Sequence, residues 1–213
     1  MCLWQHEKKN PFNFLRVTSQ QLSTAIDLPQ QQNIFVTSDS SEDQYGHFLW
    51  TSPEYTDSKF INKSTTIFSE TIFGKRYNDT CFSFKYILSG DQNARINIYI
   101  KKNTIPKYRP KSFELTLYGN SSASNKIWNR VFAPFKAVKD NFEIYVEAIQ
   151  GSKGVLAIDD LFFHYKKCTD VLADENELNQ KFRCKDGNLI SSEKVCNFIR
   201  DCVDGDDEKE CAS

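Results

Sequence analysis

The sequence predicts an all-β fold, an antiparallel β-sandwich, followed by a small cysteine-stapled module. Three observations lead there. Apolar and polar residues alternate along several short runs, turn-forming clusters separate those runs, and four of the seven cysteines crowd into the last thirty residues.

The runs are explicit. Phe82, Phe84 and Tyr86 alternate with Ser83 and Lys85, and Ile96, Ile98 and Ile100 with Arg95, Asn97, Tyr99 and Lys101. Phe113, Leu115 and Leu117 alternate with Glu114, Thr116 and Tyr118, and Phe142, Ile144, Val146 and Ala148 with Glu143, Tyr145 and Glu147. A period of two sends successive side chains to opposite faces, so these are expected as half-buried strands. Ser89-Gly90-Asp91, Gly119-Asn120-Ser121 and Gln150-Gly151-Ser152 supply the turns. There is no long amphipathic helix and no helix-strand rhythm, which favours a sandwich over a parallel sheet.

Charge excludes some functions and divides the chain. Lys plus Arg is 27 against 28 for Asp plus Glu in 213 residues, a net of −1, without the basic excess that nucleic-acid binding needs. From Cys168 to Ser213 there are twelve acids and six bases, a net of −6, so residues 1–167 carry +5. An acidic module is joined to a mildly basic one. Between them, Thr169 to Gln180 reads as a polar linker with one helical turn. No run approaches the ~18 apolar residues of a spanning helix, so no direct membrane insertion is expected.

Seven cysteines imply an oxidising compartment. Three Asn-x-Ser/Thr sequons, at Asn62, Asn78 and Asn120, agree with an extracellular address. Met1-Cys2-Leu3-Trp4 has neither the charged nor the apolar region of a signal peptide, and Cys2 has no local partner, so a fragment of a longer extracellular chain is expected.

The acidic tail carries the most specific chemistry. It runs from Phe182-Arg183-Cys184 through Cys196-Asn197-Phe198-Ile199-Arg200-Asp201-Cys202 to Asp204-Gly205-Asp206-Asp207-Glu208 and Cys211. A stretch this short lacks an adequate apolar core and needs covalent or metal staples. Hard Ca2+ takes six to eight oxygens, and Asp201, Asp207 and Glu208 can converge across the Asp204-Gly205 turn with Asn197 and backbone carbonyls. A solvated acidic tail is the bland alternative, and it does not account for the cysteine spacing.

These residues resemble a low-density lipoprotein receptor class A repeat, of which this chain keeps four of six cysteines. Leu189 stands where the third cysteine belongs, and none lies near position 177 for the first. The resemblance implies that those two are each other's partners, and that Cys184 pairs with Cys202 and Cys196 with Cys211. Each bridge contributes about 3 kcal/mol in the chain-entropy account. It also implies a calcium cage from the side chains of Asn197, Asp201, Asp207 and Glu208 and the carbonyls of Lys194 and Ile199. Asn197 replaces an Asp, which lowers the expected affinity. Lys194 replaces the aromatic that helps dock a partner lysine, and its charge would repel one.

Residues 2–168 resemble a MAM domain, a jelly-roll sandwich used in adhesion and oligomerisation. The resemblance lies in Cys2-Leu3-Trp4, Asp43-Gln44-Tyr45-Gly46-His47-Phe48-Leu49, Cys81-Phe82-Ser83-Phe84-Lys85-Tyr86, Trp128, Ala157-Ile158-Asp159-Asp160-Leu161 and Cys168. It implies that Cys81 pairs with Cys168, that the partner of Cys2 lies upstream, and that the usual opening segment is missing. The expected domains are then 1–168 for the sandwich, 169–180 for the linker and 181–213 for the repeat.

Enzymatic readings find little support. Asp159 and Asp160, adjacent on a strand, should point to opposite faces and cannot form a glycosidase acid pair. Hydrogen bonding to a loop is their expected use, with a metal role beside Asp43 as the alternative. His6, His47 and His164 lie in separate segments outside any catalytic motif, and His47 is expected to be packed. Residues 101–111 form a basic loop that could hold a sulfated glycan or simply keep a hairpin soluble. The expected function is non-enzymatic: an extracellular interaction or adhesion segment whose partner is a protein ligand or a second copy. An accessory region of a secreted or membrane-tethered protease and an endocytic receptor segment are the alternatives.

Overall fold

The computed structural model describes residues 4–6, 13–25, 36–52, 63–74, 79–102, 114–120, 127–136, 138–209 and 211. The chain forms two compact units, Met1–Lys166 and Lys167–Ser213.

The first unit is a β-sandwich. Its elements are β1 Gln5–His6, β2 Leu15–Val17, α1 Ser19–Ala25, β3 Phe48–Thr51, β4 Ser64–Phe68, β5 Thr80–Leu88, β6 Arg95–Lys102, β7 Leu115–Tyr118, β8 Asn129–Phe135, β9 Phe142–Ile149 and β10 Leu156–His164. They form two five-stranded sheets, ordered β1-β4-β9-β6-β7 and β2-β3-β10-β5-β8. Every pairing is antiparallel, and most neighbours are distant in sequence, the connectivity of a jelly roll. Phe82, Phe84, Ile96, Ile98, Ile144, Val146 and Ile158 fill the space between the sheets.

Among the described residues the four alternating runs form strands, the third from Leu115 because Phe113 lies outside those residues, but the central ones are buried on both faces. Behind the second sheet lies a further cluster, in which Leu22 of α1 and Val36 pack with Phe48, Trp50, Ile87, Val155 and Ala157. On the outer face of the first sheet, Asn97 donates to Glu147 at 3.0 Å and accepts from Thr116 at 3.1 Å. Phe68, Tyr145 and Tyr99 stack beside this layer at 5.3 and 5.1 Å. Polar residues occupy a buried face here because their hydrogen-bonding groups are paired.

The second unit holds α2 Cys168–Asn179, β11 Lys181–Arg183 and β12 Leu189–Ser191, the two strands paired antiparallel. Where one helical turn was expected, α2 runs for 12 residues, about three turns, with Val171 buried. Its sequence, Cys-Thr-Asp-Val-Leu-Ala-Asp-Glu-Asn-Glu-Leu-Asn, lacks Gly and Pro, and Asp170 favours the N-terminal dipole. Leu189 pairs with Arg183 at the hairpin and is half exposed. Among the described residues no helix is long and apolar enough to cross a membrane.

Candidate metal centre

The segment that carries the expected ligands is clamped at both ends. Cys184 is bonded to Cys202 and Cys196 to Cys211, with Cα–Cα distances of 5.7 and 5.6 Å. The Cys196 amide donates to the Asp207 carbonyl at 3.0 Å, which ties the loop to the short 3-10 turn Asp206–Glu208. Gly205 precedes that turn at φ +62°, a left-handed conformation that an L side chain resists.

Within this frame the carboxylates accept backbone amides of the loop. Asp207 is fully buried, and its Oδ2 accepts the Asp201 amide at 2.7 Å. Its Oδ1 is buried without a hydrogen-bond partner among the described residues. Glu208 accepts two successive amides, Asn197 at 2.9 Å and Phe198 at 3.0 Å. Cys196 and Phe198 take φ +61° and +67°, costly values for non-glycine residues, and the Glu208 carboxylate holds that backbone. Asn197 Oδ1 accepts the Ile199 amide at 2.8 Å, while its Nδ2 donates to Asp201 at 3.3 Å.

Lys194 ends the 3-10 turn Ser192–Lys194 and reaches across to this loop. Its ammonium donates to Asp201 Oδ1 at 2.7 Å. That hydrogen bond holds the Asp201 carboxyl below the usual carboxylate range. The grouping of potential ligand atoms found among the described residues is Cys184, Cys202 and the carboxylate of Asp206, but both sulfurs are consumed in the disulfide and offer no thiolate.

The fit to a hard cation rests on the donor set. A buried carboxylate oxygen left unpaired is costly, and Asp207 Oδ1 is such an atom, in a loop that also carries Asp201, Asn197 and Glu208, although the carboxylate oxygens of Asp201, Asp207 and Glu208 are not gathered within 4.8 Å of one another. All-oxygen donors suit Ca2+ rather than a soft metal.

A second acidic cluster lies in the sandwich, and it revises an expectation. Asp159 and Asp160 do not diverge: Asp159 Oδ2 accepts the Ser40 amide at 3.1 Å and Asp160 Oδ2 the Ser40 hydroxyl at 2.7 Å. The cause is a bulge between Asp159 and Phe162, with Asp160 at φ +50°, which breaks the alternation. Lys85 supplies the counter-charge, donating to the Ser40 carbonyl at 2.8 Å and lying 3.2 Å from Asp160. Burial raises the Asp159 carboxyl above its ordinary value. Burial also acts to raise Asp39, but hydrogen bonds from Ser41 and Asp43, with the charge of Lys85, outweigh it and hold Asp39 low.

Asp43 does not join the pair; its carboxylate caps the Tyr45 amide at 2.8 Å. A Cβ on Gly46 would collide with the Asp39 carboxylate, so glycine is required there.

The remaining candidates separate. His47, expected to be packed, is exposed, because its neighbours Phe48 and Trp50 take the buried positions. His164 Nε2 lies 2.8 Å from Ser83 Oγ, but Ser83 is fully buried in the sheet and cannot meet a substrate. Cys81 and Cys168 are both disulfide-bonded. Asn120 is exposed after β7, whereas Cys2, Asn62, Asn78 and positions 103–111 lie outside the described residues. Sequence reasoning missed Ser40 and the cationic role of Lys85; the one available signal was a lysine inside an aromatic-rich strand.

Residues 1–169 match the MAM domain, meprin/A5/mu, and residues 178–211 the low-density lipoprotein receptor domain class A. Among solved structures, a cleaved adhesin domain of Lys-gingipain superposes with a TM-score of 0.50 at 13% identity, covering 76% of this chain and 89% of that one. Another, from Porphyromonas gingivalis, gives 0.47 at 6%, covering 78% and 92%. A xylan-binding domain from Paenibacillus barcinonensis gives 0.42 at 10%, covering 77% and 92%. At 13% identity the first of these likenesses is one of fold alone.

Proposed function

We propose, for a chain that belongs to the MAM family and carries a low-density lipoprotein receptor class A domain behind the sandwich, a non-catalytic role in extracellular protein-protein interaction, with the small module folded around Ca2+. Both modules are extracellular, non-catalytic units of adhesion and ligand binding. The chain serves as such a segment of a multidomain secreted or membrane-anchored protein, engaging a protein ligand or a second copy of itself. Its domains are the sandwich, 1–168, and the repeat, 181–213, with 169–180 as the linker between them.

The observation that carries the calcium reading is the buried, unpaired Oδ1 of Asp207. The side chains of Asn197, Asp201, Asp207 and Glu208 and the carbonyls of Lys194 and Ile199 would hold the ion. Bound Ca2+ supplies the positive charge that lets several carboxylates share a small volume. The chain's own residues set the frame: Glu208 orders the amides of Asn197 and Phe198, and the two disulfides fix the loop ends. Cys81 pairs with Cys168 in this reading, as membership of the MAM family implies, and both are disulfide-bonded. The three sequons carry glycans.

Calorimetric titration of the oxidised full chain tests the calcium reading. One saturable event is expected by millimolar Ca2+, the range of extracellular modules, and it should vanish in Asp207→Ala. No heat, or heat unaltered by that substitution, refutes it.

A further inference from the structure

We propose that Lys194 is a tethered ammonium that competes with Ca2+ for Asp201, so that the module exchanges an internal cation for the metal and its affinity is set by that exchange. The inference rests on the calcium reading above and concerns the regulation of the same site.

Both oxygens of Asp201 are engaged. Oδ1 accepts from Lys194 at 2.7 Å and Oδ2 from Asn197 at 3.3 Å. Asp207, by contrast, keeps one oxygen unpaired. Of the expected acidic ligands, Asp201 is therefore the one already holding a cation. A charge-assisted contact of that length is of the strong class, and any ion that takes Asp201 must displace or share it.

Lys194 faces a conflict between its own atoms. Its carbonyl is an expected ligand, while its ammonium sits on a carboxylate that is another. A divalent ion bound to both would stand a few ångströms from the ammonium, and at about 5 Å that repulsion, even at the dielectric of water, corresponds to roughly tenfold in affinity.

The geometry permits release. The Lys194 side chain is 52% exposed and that of Asp201 only 16%, so the pair sits at the rim with the ammonium on the solvent side. A four-carbon stem with free rotation lets the ammonium swing into water while the backbone stays on its 3-10 turn. Until calcium enters, the lysine occupies the acidic face and closes it to an external ammonium group.

Three measurements on the oxidised full chain test this. Ca2+ titration of Lys194→Met, which keeps the length and removes the charge, should show affinity raised by about three- to tenfold, while Lys194→Arg stays within about twofold of wild type. In chelator, Lys194→Met should lower the protection of the 196–208 amides from hydrogen exchange, because the apo cage loses its internal cation. Amine acetylation read by mass spectrometry should modify Lys194 faster with Ca2+ than without it. A purely structural lysine would lower protection and calcium affinity together, which overturns the proposal. Equal affinities for wild type and Lys194→Met overturn it while leaving the calcium reading intact. Absence of Ca2+ binding in all variants overturns both.

Discussion

Asp207→Asn should change sign with calcium. The wild-type carboxylate is fully buried, satisfies the Asp201 amide through Oδ2, and leaves Oδ1 unpaired. Leaving a buried acceptor unsatisfied costs about 1–3 kcal/mol. Asparagine keeps one acceptor for the Asp201 amide and removes the charge, so in chelator the variant should be more stable than wild type by about 1 kcal/mol. With Ca2+ at a hundred times its dissociation constant the wild type gains about 2.7 kcal/mol by mass action, which the variant loses. The swing between conditions is then about 4 kcal/mol. Hydrogen exchange of residues 181–209 by mass spectrometry reads the module. Fluorescence of Trp4, Trp50 and Trp128, all outside it, gives an internal control that should not move. A variant destabilised equally in chelator and in calcium would refute the reasoning, since Asp207 would then be a structural hydrogen-bond acceptor and nothing more.

Other outcomes follow from the sandwich and the cysteines. Lys85→Met removes a donor to Ser40 and a half-exposed ion pair with Asp160, and should cost about 1 kcal/mol in urea denaturation followed by tryptophan fluorescence; no change would remove Lys85 from the account. The raised Asp159 carboxyl means that the folded state binds its proton more tightly than the unfolded chain, so its ionisation lowers stability as pH rises from the ordinary carboxylate value through the folded one. Asp159→Asn should flatten that fall just above the ordinary carboxylate value, and an unchanged slope of stability against pH would contradict the assignment. Peptide mapping without reduction should join Cys81 to Cys168; a peptide linking Cys168 to any of the last four cysteines would overturn the domain boundary.

The sheets were legible because burial on one face leaves a period of two in the residues, as in β9, where Phe142, Ile144, Val146 and Ala148 all reach the core. What alternation could not reveal was the fate of the opposite face. Glu147 and Asn97 look like solvent positions until their mutual hydrogen bond is seen, and polar pairing across strands leaves no trace in hydrophobic spacing. The length of α2 was hidden for a related reason, since a polar helix carries no amphipathic stripe and reads like a linker. The expected ligands of the tail came from cysteine and acid spacing and from the resemblance to a class A repeat, and neither shows the Lys194 contact. A sequence shows that a cation is near; only the fold shows which carboxylate it has taken.

Two acidic clusters in this chain contain a lysine, and they differ in the acceptors they leave for a metal. Around Ser40, Lys85 lies against a carbonyl and a carboxylate, Asp159 and Asp160 accept from Ser40, and Asp39 accepts from Ser41 and Asp43. No buried, unpaired oxygen is found there among the described residues. That cluster has spent its acceptors on donors of the protein itself and offers a divalent ion little that water does not. In the C-terminal module, Lys194 satisfies one oxygen of Asp201 and leaves Asp207 Oδ1 buried and unmet. The first lysine lies in a cluster with no buried, unpaired oxygen among the described residues, and the second in one that keeps such an atom. Chelation should therefore leave tryptophan fluorescence and the urea midpoint of the sandwich unchanged while it deprotects the module. A sandwich that lost stability in chelator would show that Lys85 shares the Ser40 cluster with a metal, and that an unpaired buried oxygen is a poor guide to calcium in this protein.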